Sequence, residues 1–142
     1  MTALHRARHK NKTLAALLAF LLGGLGLQRL YLGGLRDRWL WAHLACLPAS
    51  LLISALAPQA DGFYKLLPII VSGLAGFLEA LVMGLTPDEK WDARHNAASG
   101  RQSDTHWPVA VVLVASMMIG AGGLIATISR LFDLLYTGGA YG

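Results

Sequence analysis

Leu67-Pro68-Ile69-Ile70-Val71-Ser72-Gly73-Leu74-Ala75-Gly76-Phe77-Leu78-Glu79-Ala80-Leu81-Val82-Met83-Gly84-Leu85 is an apolar run of nineteen residues broken by one ionisable side chain, Glu79. As an α-helix rising about 1.5 Å per residue it would extend about 28 Å, close to the ~30 Å hydrocarbon core of a bilayer. Lipid offers the backbone no hydrogen-bond partners, so a run of this kind has to satisfy its own amides as a helix. Outward from it, residues 39–57 and 109–128 form runs of similar length, and residues 13–27 a shorter one. Hydrophobic residues make up 55% of the 142-residue chain and charged residues 14%. A soluble domain carries about 25% charged residues, and the deficit is too large for a water-facing surface. The expected fold is all-α: a polytopic helical membrane protein with three to four membrane segments and a short interfacial helix.

The chain divides into a basic N-terminal tail (residues 1–12), a membrane domain (13–85), an interfacial helix with a polar loop (86–106), an additional membrane helix (107–136) and a short tail (137–142). Trp39 and Trp41 sit at headgroup depth at the start of the second helix, where aromatic belts form, and Pro48 should kink that helix. Pro68 suits the first turn of the third helix. Thr86-Pro87-Asp88-Glu89 has the form of a capping box with proline in the first turn. It predicts a surface helix over residues 87–95 with Trp91 lying on the membrane interface as an anchor. A basic tail before an apolar run also has the outline of a signal peptide, but no small-x-small cleavage site follows, and the segment is read as retained.

The first segment is ambiguous. Fifteen helical residues reach only about 22 Å, and Gly23, Gly24 and Gly26 interrupt the run just before Gln28 and Arg29. Either residues 28–34 complete a span, or the segment enters the membrane and turns back. In the first case the twelve Lys and Arg residues divide six and six between the two sides; in the second they divide ten and two. The positive-inside rule favours the second.

Small residues recur at every fourth position in three segments: Ala15, Ala19 and Gly23; Ala42, Cys46, Ser50 and Ser54; and Ser72, Gly76, Ala80 and Gly84. Helices in lipid gain nothing from hydrophobic association, and close backbone approach along small faces commonly holds them together. The third ladder is the strongest candidate for a buried helix–helix face.

Lys10-Asn11-Lys12 before the apolar run, followed by Gly23-Gly24-Leu25-Gly26-Leu27-Gln28-Arg29-Leu30-Tyr31-Leu32-Gly33, resembles the TM-two domain family of small membrane proteins. Gly23, Gly24, Gly26, Arg29, Tyr31, Leu32 and Gly33 match the family pattern. Gln28 stands where the family usually has His or Asp, and Leu30 where Phe is usual. The resemblance implies a helical hairpin around a polar turn, extends over about residues 10–85, and makes Glu79 the counterpart of the family's later acidic residue. The family has no agreed biochemical activity, so the resemblance implies a fold more than a function.

Arg29, Tyr31 and Glu79 are the candidate polar residues, and Gly23, Gly24, Gly26, Gly33, Ser72, Gly76, Ala80 and Gly84 the candidate packing residues. A charge in or beside hydrocarbon costs about 2.5–3.5 kcal/mol on insertion scales, so it takes a partner or reaches the interface. Arg29 could bind a lipid phosphate or a partner carboxylate, or snorkel while holding the glycine turn. Glu79 could serve a function of its own or form a structural pair, with Arg29 as the named partner. His43 and Cys46 have ligand-like spacing, but two residues do not make a metal site. Asp88, Glu89 and Asp92 read as solvated helix capping, and Arg130 with Asp133 as a local pair. No nucleophile–base constellation, metal set or cofactor loop is present, and no catalytic residue, metal or cofactor is expected.

The expected partners are membrane lipids and either further copies of the chain or another membrane protein, not nucleic acid. The location is expected to be a membrane, in particular a bacterial cytoplasmic membrane. The leading expectation for function is a non-enzymatic interaction or assembly module. The alternative is a small oligomeric transporter or channel-like protein using Glu79 and Arg29.

Overall fold

The computed structural model describes residues 8–141, so His5 and Arg6 of the basic tail and the terminal Gly142 lie outside the described residues. All regular structure among the described residues is helical. Among the described residues, three helices are long and apolar enough to cross a membrane: α3 (Arg38–Leu56), α4 (Gly62–Leu85) and α6 (Pro108–Thr137). The first segment is α1 (Lys12–Leu22) with a 3-10 turn at Gly23–Leu25; α2 (Leu27–Gly33) follows it, and α5 (Asp88–His95) follows α4.

The first segment enters and turns back. Lys12 lies at the end of α4, its Nζ donating to the Thr86 carbonyl at 2.8 Å. Ten residues further down α4, Gly23 meets Gly76, so the hairpin descends about 15 Å, half the hydrocarbon thickness. Gly26 then takes a left-handed conformation (φ 72°), which a side chain would disfavour. α2 returns to the starting level, where the Asn11 amide donates to the Tyr31 hydroxyl at 2.8 Å. The close approach at the bottom needs glycine on both sides. A Cβ on Gly23 would lie 2.5 Å from the Gly76 Cα.

α4 is the central helix, with α1, α3 and α6 packed around it. α3 runs unbroken across Pro48, capped by Asp37, which accepts from the Trp39 amide. Asp61 caps α4 in the same way and also pairs with Arg130 near the far end of α6 at 3.1 Å. Arg130 bonds Asp133 on its own helix at 2.6 Å. Residues 8–11, the α2–α3 turn and the loop from α4 to α6 therefore share one side. Of the eleven described Lys and Arg residues only Lys65 and Arg130 stand at the other, leaving nine on the tail side. Trp39, Trp41 and Trp107 are exposed at the tail-side ends of α3 and α6. That is where an aromatic belt belongs.

Three local expectations are corrected. Trp91 is not an interface anchor: it is 2% exposed, and its indole N–H donates inward to the Lys10 carbonyl at 2.9 Å. The capping box does not form, because the Thr86 hydroxyl donates back to the Val82 carbonyl, and α5 begins at Asp88 with Pro87 as its N-cap. The α3 ladder is not a buried face; Ser50 is buried, but Ala42 and Ser54 face outward. α3 instead turns Leu40, His43 and Ser50 inward. The α4 ladder is buried at Ser72, Gly76, Ala80 and Gly84. Gly84 lies against Leu113 and Val109 of α6.

Candidate functional site

The turn of the hairpin places a polar cluster inside the membrane domain. Glu79 points from α4 toward α2 and α3, and both carboxylate oxygens are engaged. Oε2 accepts from Arg29 Nε and from the Gln28 side-chain amide, each at 2.8 Å. Oε1 lies 3.2 Å from His43 Nε2. The other imidazole nitrogen is 2.7 Å from the Ser72 hydroxyl. That hydroxyl also lies 2.7 Å from the Gly24 carbonyl. A hydroxyl has one proton to give. When it turns to His43, a neutral ring with its proton on Nε2 satisfies Glu79; when it turns to Gly24, both contacts need a ring carrying two protons.

Each participant is placed by its local structure. Gln28 and Arg29 lie in the first turn of α2, immediately after the Gly26 reversal, and so face α4 at mid-depth. A Cβ on Gly26 would come within 3.1 Å of the His43 Cβ, so the glycine also lets α3 approach. Arg29 is about a quarter exposed and lies 3.9 Å from Asp37, which turns it toward the interface. Gln28 is fully buried, and its carbonyl oxygen has no partner among the described residues.

The sequence named Arg29, Tyr31 and Glu79. The structure brings Arg29 and Glu79 together and puts Tyr31 elsewhere, at the mouth of the hairpin. Gln28, His43 and Ser72 escaped the sequence reading as cluster members. Gln28 had a signal, since it occupies the polar position of the turn motif. His43 had none, because a single histidine on an apolar helix does not reveal which neighbour it faces. Gly33 is not at a helix–helix contact; a Cβ there would meet the Asp37 side chain at 2.9 Å. Gly24 contributes its carbonyl to Ser72 and lies opposite Gly73.

A second polar network ties the mouth of the hairpin to α5. Lys10 Nζ donates to the Tyr31 carbonyl at 2.7 Å and lies over the Tyr31 ring. Asn11 caps α1 by accepting from the Leu14 amide. Lys12 is 6% exposed and pairs with Asp88 at 2.6 Å. Asn96 binds both backbone groups of Lys10, accepting from its amide and donating to its carbonyl. Lys10 and Lys12 are thus structural here. Asp88 and Asp92 are more than solvated caps, since they also bind Thr105 and Ser103 of the polar loop.

Burial raises the Asp88 pKa, but hydrogen bonds from Lys12 and Thr105 outweigh it and bring the group down to about 2. The carboxyl is therefore more acidic folded than unfolded. Its stabilisation is complete above about pH 4 and is lost as the pH falls toward 2. Burial lowers the His95 pKa, with Arg94, Lys10 and Arg29 adding to the effect. The cost of charging it adds to the loss on the acid side of its ordinary pKa. Amide exchange at residues 10–12 is expected to be slow at pH 7 and to accelerate, after correction for intrinsic rates, on acidification. Asp88→Asn is expected to cost about 2 kcal/mol at pH 7, the scale of a charge-assisted bond, and to flatten the pH dependence below pH 4. An unchanged acid profile in that variant would show that Asp88 does not set it.

Residues 8–55 match the TM2 domain family. The match covers about a third of the chain and takes in the basic motif, the hairpin and nearly all of α3. Glu79 and α4 lie beyond it, so the matched region is narrower than the stretch read as similar from sequence. No curated protein and no solved structure matches the chain.

Proposed function

We propose that this chain, which carries a TM2 domain over residues 8–55, is a non-enzymatic assembly module: a small rigid helical body that packs against other membrane proteins or further copies of itself. The observation that supports this best is the closure of the Glu79 cluster. A carboxylate that passes ions has to exchange partners along a wet path, whereas both Glu79 oxygens are held by Arg29, Gln28 and His43. An ion pair held in this way fixes the register of the hairpin against α4 and α3. The small-residue faces are consumed within the chain, Gly23 against Gly76 and Gly84 against α6. Partner contact is then left to the exposed apolar side chains of α3, α4 and α6, such as Leu51, Leu78, Met117 and Ile125. In a cytoplasmic membrane, the nine-to-two distribution of the described Lys and Arg residues would turn the tail side toward the cytoplasm.

Single cysteines in a Cys46→Ser background test this reading. Cross-linking in membranes at residues 51, 78, 117 and 125 is expected to select one helix face. Positions beside Glu79 are expected to resist membrane-impermeant thiol reagents from either side. Labelling around Glu79, with no face-selective cross-link, would replace assembly with the transport alternative.

A further inference from the structure

We propose that the pocket between α2, the end of α4 and α5 binds the phosphate of an anionic phospholipid, with Lys90 and Arg94 as the holding charges and Arg29 at the inner wall. The pocket is a cavity of about 150 Å³ on the tail side. Arg29, Lys90, Arg94 and His95 line it, and no carboxylate does. Lys90 and Arg94 stand four apart on α5, so they share a face; like charges at that spacing weaken a helix by a few tenths of a kcal/mol. Arg94 and His95 in the last turn complement the helix dipole, but Lys90 is in the first turn, where a cation is disfavoured. Arg29 is already paired with Glu79 at 2.8 Å and lies 3.9 Å from Asp37, so the uncompensated charge of the pocket is that of Lys90 and Arg94. Asp92 is engaged by Asn96 and Ser103, Asp88 by Lys12, and Glu89 is not part of the lining. His95 registers the resulting field, since after burial it is Arg94, Lys10 and Arg29 that disfavour its charged form.

The rest of the wall separates a lipid from a free anion. Leu32, Val82 and Met83 also line the pocket, and Val82 is 58% exposed on the outer side of α4. A charged mouth above an apolar floor suits a phosphodiester carrying acyl chains. A soluble phosphate has no use for the floor. The site also lies on the side carrying nine of the eleven described Lys and Arg residues, the side that faces the anionic leaflet under the positive-inside rule.

The test uses the full chain in phosphatidylcholine nanodiscs with and without phosphatidylglycerol. One readout is the association of spin-labelled phosphatidylglycerol relative to spin-labelled phosphatidylcholine. The other is the titration of the His95 imidazole by NMR, assigned by its loss in His95→Gln. The expected result is a preference for phosphatidylglycerol that falls about fivefold in Lys90→Gln, the effect of one cation near an anionic surface, and disappears in Lys90→Gln/Arg94→Gln. His95 is expected to titrate at higher pH with phosphatidylglycerol present, and this shift should vanish in the double variant. Both altered side chains are exposed, so the double variant is expected to unfold at the wild-type temperature. Arg36→Gln/Arg101→Gln, two exposed cations outside the pocket, should preserve most of the preference. An equal loss in that control would show diffuse surface attraction and overturn the site. A His95 shift of the same size from inorganic phosphate in pure phosphatidylcholine would make the ligand a soluble anion and overturn the lipid assignment.

Discussion

Replacing Arg29 with methionine is expected to destabilise the protein by about 2 kcal/mol, below the range for breaking a fully buried ion pair because Arg29 is about a quarter exposed. The loss leaves the Glu79 carboxylate deep in α4 with Gln28 and His43 as its remaining donors. A neutral amide does not compensate a charge as a guanidinium does. Glu79→Leu is expected to cost about as much by a different route. Arg29 is partly exposed and has Asp37 nearby as a second carboxylate, so its own charge is relieved. The buried Gln28, however, would then lose its hydrogen bond while its carbonyl oxygen already lacks one. The double variant Arg29→Met/Glu79→Leu should fall short of the sum by at least about 1 kcal/mol, since contacting charges are not additive. Reversible unfolding in detergent micelles measures all four corners of the cycle. Strict additivity would mean that the two residues stabilise the fold independently and that the cluster is not a lock.

The second large effect is expected from a single methyl group. Gly76→Ala would bring a Cβ within 2.6 Å of the Gly23 Cα and 3.0 Å of the Ala19 carbonyl oxygen. Both are backbone atoms, which cannot swing aside as the end of a side chain does. The hairpin would have to lift off α4 and take Gln28 and Arg29 with it. A cost of about 3 kcal/mol is expected, at the upper end for overpacking. Gly73→Ala, three residues away on the same helix, meets nothing within 4 Å. That substitution is expected to stabilise by about 0.5–1 kcal/mol by removing a helical glycine. The opposite signs at neighbouring glycines are the readout. Similar effects at both would show that α1 does not approach α4 as closely as the structure has it.

Much of this fold was legible in the sequence because lipid imposes one rule on the backbone. Runs near residues 39–57, 67–85 and 109–128 had to be helices, and they are. The shortness of residues 13–27 and the excess of positive charge on one side pointed to a hairpin that turns back. Arg29 and Glu79 could be named because an ionisable group stands out against hydrocarbon.

What the sequence by itself determined is therefore the number, type and rough length of the membrane segments, and which charges needed partners. Tertiary structure decided which faces meet. It buried the α4 ladder and left Ala42 and Ser54 of the α3 ladder outward, turned Trp91 from the lipid toward Lys10, and drew Gln28, His43 and Ser72 into the Glu79 cluster. The reason is physical. In water, a polar face marks the outside of a helix; in lipid, the buried and the lipid-facing sides are both apolar. The period of the sequence then says little about which side is which. That choice falls to backbone approach at glycines such as Gly23 and Gly76, and to hydrogen bonds between residues far apart in sequence, such as Gln28 and Glu79, fifty-one positions apart.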